Sequence, residues 1–229
     1  GREPSNGFSL LSTHPRTPAR VREAVAAADK KPVADPIVGR DIFLSKLDGM
    51  VYGHTADQGF IQRHEFLHPQ LKLAFEVPEE FRLFNSAERV LAFGPRDSLI
   101  IFDSGGAQAS SDPLDHLRNQ WTEGRRLADV ERLTVNGMPA ATGRTRVSTN
   151  KGARDARFVA IQYSPTQIYR FLFLTPPELT ARFNEGFRRT TFSFRKLSDA
   201  EAAELKPKRI QVHTLREGET VESLAERMP

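Results

Sequence analysis

The sequence predicts an α+β fold: an antiparallel sheet with helices packed on its faces. Three observations carry that reading. Apolar residues recur with period two through residues 59–103, and hairpin signals follow at Asn136-Gly137 and around residues 164–167. Leu179, Phe183 and Phe187 then stand at four-residue spacing, which makes the ridge of a sheet-packing helix.

Taken in order, Thr17 and Pro18 open a helix that runs through Val21 and Val25 to the alanines, and Lys30-Lys31-Pro32 closes it. Pro32 to Pro36 reads as a linker. A second helix spans Gly39 to Asp48, with Gly49 placed to end it. Strands are expected at 59–67, 71–77, 81–85, 89–94 and 98–103, all within one sheet of some eight or nine strands. Gly105 to Ser111 is a loop, and Asp112 caps a helix carrying Pro113 at its first position. Val130–Val135 and Pro139–Val147 flank Asn136-Gly137, whose residues accept the positive φ of a tight turn. Phe158–Tyr163 and Ile168–Leu174 form the next hairpin, and Thr175-Pro-Pro-Glu178 reads as a capping box. The tail from Ile210 reads as strand, Gly turn and helix, the last capped by Thr220. The domains expected are 1–54, 55–198 and 199–229.

Composition narrows the function. With 229 residues, 38% hydrophobic content and 16 Phe, the chain can bury a substantial core. It has no Cys, which removes disulfides, thiolate nucleophiles and Cys-based zinc sites. No apolar run reaches the roughly 20 residues of a membrane helix. The net charge of +4 is spread over scattered pairs, so no nucleic-acid partner is expected. There is no G-x-S-x-G, P-loop or G-x-G-x-x-G, and no carboxylate pair is fixed by local spacing.

One motif invites a metal. His64-Glu65-Phe66-Leu67-His68 spells H-E-x-x-H, which on a helix sets two imidazoles toward one zinc. Pro69 directly after His68 opposes a helix there. On a strand the two histidines stand roughly 13 Å apart along the axis. The motif is therefore read as a decoy, and no metal is expected at His64, Glu65 or His68.

Thr13-His14-Pro15 followed by Arg20 resembles the Thr-His-Pro-x-x-x-x-Arg segment that ends the protease domain in gluzincins of peptidase family M forty-eight, the CAAX-protease and periplasmic chaperone-protease type. Val38 to Gly53 looks like the link from that domain to an accessory domain, and Gly59 to Pro78 like the accessory domain's first hairpin. The hairpin, the Phe-x-Val-Pro segment and the Phe-bearing helix also resemble the Mog1/PsbP-like sandwich. The tail from Val212 to Ala225 is similar to the first half of a LysM module, with Glu219 where Asp is usual.

The resemblance implies a non-catalytic C-terminal region of a zinc-dependent metalloendopeptidase, in the periplasm or cell envelope. It implies that the zinc helix lies before residue 1, that zinc belongs to the parent protease, and that His14 and Arg20 face its cleft. The implied partners are the chain's own protease domain, protein substrates and peptidoglycan, the last through Gly218 and Thr220. Two alternatives stand beside it: a self-contained zinc protease using His64, Glu65 and His68, and a free-standing glycan- or protein-binding module.

Overall fold

The structure is a computed structural model that describes residues 17–30, 39–86, 88–106 and 112–226. Residues 1–46 and 47–229 form separate compact units. The first contains α1 (Thr17–Asp29) and nearly all of α2 (Arg40–Leu47). Both helices start and stop where proline and glycine chemistry places them, and Gly49 takes φ 79°. Val21, Val25, Ile42 and Phe43 on these helices are exposed.

The second unit is α+β. Its strands are β1 (Val51–Tyr52), β2 (Phe60–Gln62), β3 (Glu65–His68), β4 (Leu73–Glu76), β5 (Arg82–Asn85), β6 (Val90–Phe93) and β7 (Leu99–Ser104). A short helix, α3 (Pro113–Asp115), continues as a π-helical turn over His116–Trp121. Then come β8 (Ala128–Val135), β9 (Met138–Thr149), β10 (Gly152–Ser164), β11 (Gln167–Thr175), α4 (Thr180–Ser193), β12 (Arg195–Lys196), α5 (Asp199–Glu204), β13 (Lys208–Arg209) and α6 (Val221–Ala225).

The strands do not share one sheet. They form a seven-stranded sheet in the order β5-β6-β7-β11-β10-β9-β8, a four-stranded sheet β12-β4-β3-β2, and the pair β1-β13. Period two reveals which side chains share a face but not which strands share a sheet, so the expected eight or nine strands in one layer are corrected. Phe66, Leu73 and Phe75 of the four-stranded sheet and the Phe ridge of α4 enter one core with a single face of the large sheet, and Leu67 and Ala74 form a second, small cluster with Leu197. Leu73 and Phe75 from β4 join Ile100 and Phe102 from β7, Tyr169, Phe171 and Phe173 from β11, and Phe183 and Phe187 from α4. Phe75 lies 4.6 Å from Phe102 and 5.0 Å from Phe171 between ring centroids. Gly94 serves the same core, because a Cβ there would run into the ring of Phe81.

Three local expectations are also corrected. Residues 59–67 are a hairpin, not one strand: Gln62 pairs with Glu65 around Arg63-His64, and Arg63 takes φ 57° without the Gly or Asn that usually marks such a turn. Leu71 falls in the next turn, beside Lys72 at φ 52°, and is exposed. The capping box at Thr175 does not form. Thr175 is the last residue of β11, opposite Asp155, and its hydroxyl lies 3.1 Å from that of Thr180, which donates to Asp155 Oδ2 at 2.8 Å. The helix opens through a 3-10 turn at Pro177–Leu179 instead.

Asn136-Gly137 turns with φ 47° and 81°, and the Asn136 amide donates to the carbonyls of Phe192 and Phe194, both at 2.9 Å. The hairpin that period and turn chemistry mark thus also ties the end of α4 to the sheet.

Phe75 is 1% exposed, so truncating it leaves a cavity between the sheets. Phe75→Ala is expected to cost about 3–5 kcal/mol in urea unfolding. Phe84→Ala, at a side chain 57% exposed, should cost under about 1 kcal/mol.

Candidate functional site

The H-E-x-x-H residues sit in the β2–β3 hairpin, and each has a structural task. The His64 carbonyl accepts from the Val77 amide at 2.9 Å. Glu65 faces Arg195 at 3.6 Å, and the same guanidinium reaches Glu201 at 2.7 Å. Burial pushes the Glu65 carboxyl up, against the pull of Arg195. The Nδ1 atom of His68 accepts from the Leu71 amide at 3.2 Å, which closes the Pro69 turn, and burial pushes this imidazole down. A zinc clasp of this type needs both imidazoles on adjacent turns of one helix. Residues 65–68 run extended, so this trio does not fit a shared zinc. Among the described residues, no group of three or more His, Asp or Glu stands together as a metal site.

Of the residues implied by resemblance, His14 lies outside the described residues. Arg20 is exposed on α1. Gly218 turns at φ 86° before α6, and Thr220 caps that helix by accepting from the Ser223 amide at 3.2 Å. Glu219 accepts from the Arg216 amide at 3.0 Å and lies 2.8 Å from His213. The Thr220 hydroxyl is thus committed to its own helix.

Sequence reasoning missed the feature that stands out on the large sheet. Its two faces differ. On one, Leu83, Val90, Ala92, Ile100, Phe102, Phe171 and Phe173 are buried against the smaller sheet and α4. The alternate residues on the same four strands point the other way and are mostly apolar: Phe84, Leu91, Phe93, Leu99, Ile101, Leu172 and Leu174, with the exposed Arg82 opposite Phe93 on the same side. Phe84 and Phe93 are 57% and 53% exposed, and the other five are only partly buried. The registers Phe84↔Leu91, Leu91↔Ile101 and Ile101↔Leu172 make them one continuous surface.

The helical segment Pro113–Trp121 covers the same face over β9 and β10. It stops at a polar border. Arg170 donates from Nε and Nη2 to the two oxygens of Asp103 at 2.7 and 2.8 Å, and its guanidinium stacks 4.8 Å from the Trp121 ring centroid. Trp121 in turn packs edge-on against Phe158 at 4.9 Å. The π-helical turn is set by the Thr122 amide and hydroxyl, which both reach back to the Leu117 carbonyl, at 3.2 and 2.8 Å. Beneath it His116 is 1% exposed, with Nδ1 lying 2.8 Å from Gln120 Oε1 and Nε2 without a hydrogen-bond partner among the described residues. Burial, and then the Arg170 charge, push this imidazole down against the pull of Gln120.

The two exposed Phe rings, Trp121 and the bidentate Arg170 are residue types enriched at protein–protein interfaces, whereas the Leu residues between them add apolar area only. The signal was present in the sequence. Leu99-Ile-Ile-Phe102 and Phe171-Leu-Phe-Leu174 do not alternate, and unbroken apolar strands are those buried on both faces.

Neither a protein-family model nor a curated protein matches this chain. Among solved structures it is similar to a protein from Bacteroides thetaiotaomicron, with 11% identity, TM-score 0.46, and 62% of this chain matched to 51% of that one. The chain therefore spans about half the length of that protein. It is also similar to cyanobacterial PsbP (CyanoP) from Synechocystis, at 13% identity and TM-score 0.43 over 58% of this chain and 91% of that one. LpqN, involved in cell envelope biogenesis of Mycobacterium tuberculosis, aligns at 12% identity and TM-score 0.43, over 55% and 83%.

His68 and His116 are both held below their ordinary value of about 6.5. Folding therefore favours the neutral rings. Their contribution is complete above that pH and is lost as pH falls through the lower folded values. Urea midpoints should drop on going from about pH 7 to pH 5, and the His68→Gln/His116→Gln double variant should flatten that slope.

Proposed function

We propose that this chain is a non-catalytic accessory region of a zinc-dependent metalloendopeptidase of the cell envelope. It docks on the protease domain through the apolar face of β5, β6, β7 and β11 and positions protein substrates there. The observation that carries the reading is the exposure of Phe84 and Phe93 on strands whose other side is fully buried. A continuous apolar face of this kind on a folded protein marks an interaction site. The Arg170–Asp103 pair and Trp121 supply the polar rim that orients a partner. The segment ending at Arg20, with its resemblance to the close of a gluzincin protease domain, supports a protease as that partner. Zinc and hydrolysis then belong to the protease domain, and this chain contributes binding and placement.

The experiment is a two-part reconstitution. The purified chain is expected to show no cleavage of casein and less than one zinc per chain. Mixed with a gluzincin protease domain of the family M forty-eight type, it should form a complex seen by analytical ultracentrifugation. Phe84→Asp/Phe93→Asp should weaken that complex by at least about a hundredfold while leaving the far-ultraviolet spectrum unchanged. Stoichiometric zinc with proteolysis by the chain alone, or a complex indifferent to the double variant, would sink the proposal.

A further inference from the structure

On the opposite face of the large sheet, α4 leaves part of the strands open. Phe183 and Phe187 pack on Phe81 and Phe173, whereas a cavity of about 330 Å³ opens between the helix and β8, β9 and β10. The strands contribute Glu131, Leu133, Thr142, Arg157 and Val159, and the helix contributes Asn184, Arg188, Thr191 and Phe192.

The charges around it are unequal. Arg144 pairs with Asp129, Arg146 with Asp155 at 2.7 Å and Arg188 with Glu185 at 3.0 Å. Arg157 is different. It is half-buried, it stands directly across from Arg144 in register, and it makes no hydrogen bond or ion pair among the described residues. Arg144 has its counter-ion in Asp129, whereas Arg157 is partly removed from water with none among the described residues, which costs free energy. An anion at this point relieves that cost. Leu133, Val159 and Phe192 make much of the remaining lining apolar, which disfavours a fully hydrated inorganic anion. The rest of the lining is polar: Thr142, Asn184 and Thr191, the exposed carboxylate Glu131, and Arg188, which is already paired with Glu185. An unpaired guanidinium beside both polar and apolar side chains in a cavity of this size suits a small carboxylic acid with a hydrocarbon body.

We propose that this cavity binds a carboxylate carried on an apolar body, with Arg157 as the anchor of the carboxylate. Leu133, Val159 and Phe192 receive the hydrocarbon part, and the Asn184 amide lies on the helix side to meet a polar atom next to it. A peptide chain end with an aliphatic last residue and a free branched aliphatic acid share this chemistry. The site lies on the sheet face opposite the docking surface and does not depend on it.

Isothermal titration calorimetry on the whole chain tests it with three probes: acetyl-Ala-Ala-Leu with a free carboxylate, the same peptide as its amide, and 4-methylpentanoate. The free-acid peptide or the short acid is expected to bind, and the tighter of the two identifies the source. The amide should bind at least about tenfold more weakly than the acid peptide. Arg157→Gln should weaken acid binding at least about tenfold, Arg157→Lys should retain part of it, and Arg154→Gln on the other face should leave it unchanged. Asn184→Asp, at an exposed helix position on the cavity, should weaken the acid more than the amide, a readout independent of Arg157. Equal affinity for acid and amide, normal binding by Arg157→Gln, or no binding of either acid up to about 10 mM would overturn the assignment.

Discussion

The fold depends on Phe75 and the rings around it. β4 belongs to the smaller sheet, yet Phe75 sits within 5.4 Å of Phe66 on its own sheet and 4.6 Å of Phe102 on the other. Phe171 closes against its face at right angles, and Phe194 carries the contact onward to the end of α4. These edge-on and tilted contacts are the geometries that aromatic quadrupoles favour, and they add to a large area removed from water. Two sheets of different strand number are thereby locked in one orientation. Asn136, holding the carbonyls of Phe192 and Phe194, fixes the helix terminus against the same core.

That arrangement has a consequence for function. The main core residues of the smaller sheet and of α4 go to one face of the large sheet, while Leu67 and Ala74 of the smaller sheet cluster separately with Leu197. The other face is covered by a short helical segment over β9 and β10, while the strands on the far side remain apolar and half exposed. Apolar residues at both parities of a strand are costly in water on the uncovered side. Their presence on β5, β6, β7 and β11 is intelligible as a surface shaped for a second folded body. The Arg170–Asp103 bridge, at 18% and 24% side-chain exposure, fits this view because it is rigid, bidentate and placed at the boundary. The His116 ring below it supports the π-helical turn that positions Trp121.

The H-E-x-x-H segment shows how a sequence motif and its backbone can disagree. Spacing alone puts two imidazoles and a carboxylate in order, but Pro69 forces the chain to remain extended through His68. The segment then serves a hairpin: Glu65 answers Arg195, His68 caps the following turn, and His64 contributes its backbone carbonyl. Proline chemistry was the stronger signal, and it was legible in the sequence. The turn at Arg63-His64 was not, because an arginine at positive φ carries no compositional mark.

The sequence by itself determined the α+β class, the N-terminal helices, the Asn136-Gly137 turn, the Phe ridge of α4 and the extended backbone at His68. Each follows from local chemistry: period, glycine and asparagine φ, or proline sterics. Only the tertiary structure decided how the strands divide between two sheets, which face of the larger sheet is left uncovered, and that Arg157 lines a cavity with no ion pair of its own among the described residues. Those facts depend on which elements meet across long separations in sequence. A strand's own residues specify its two faces but not what comes to cover them.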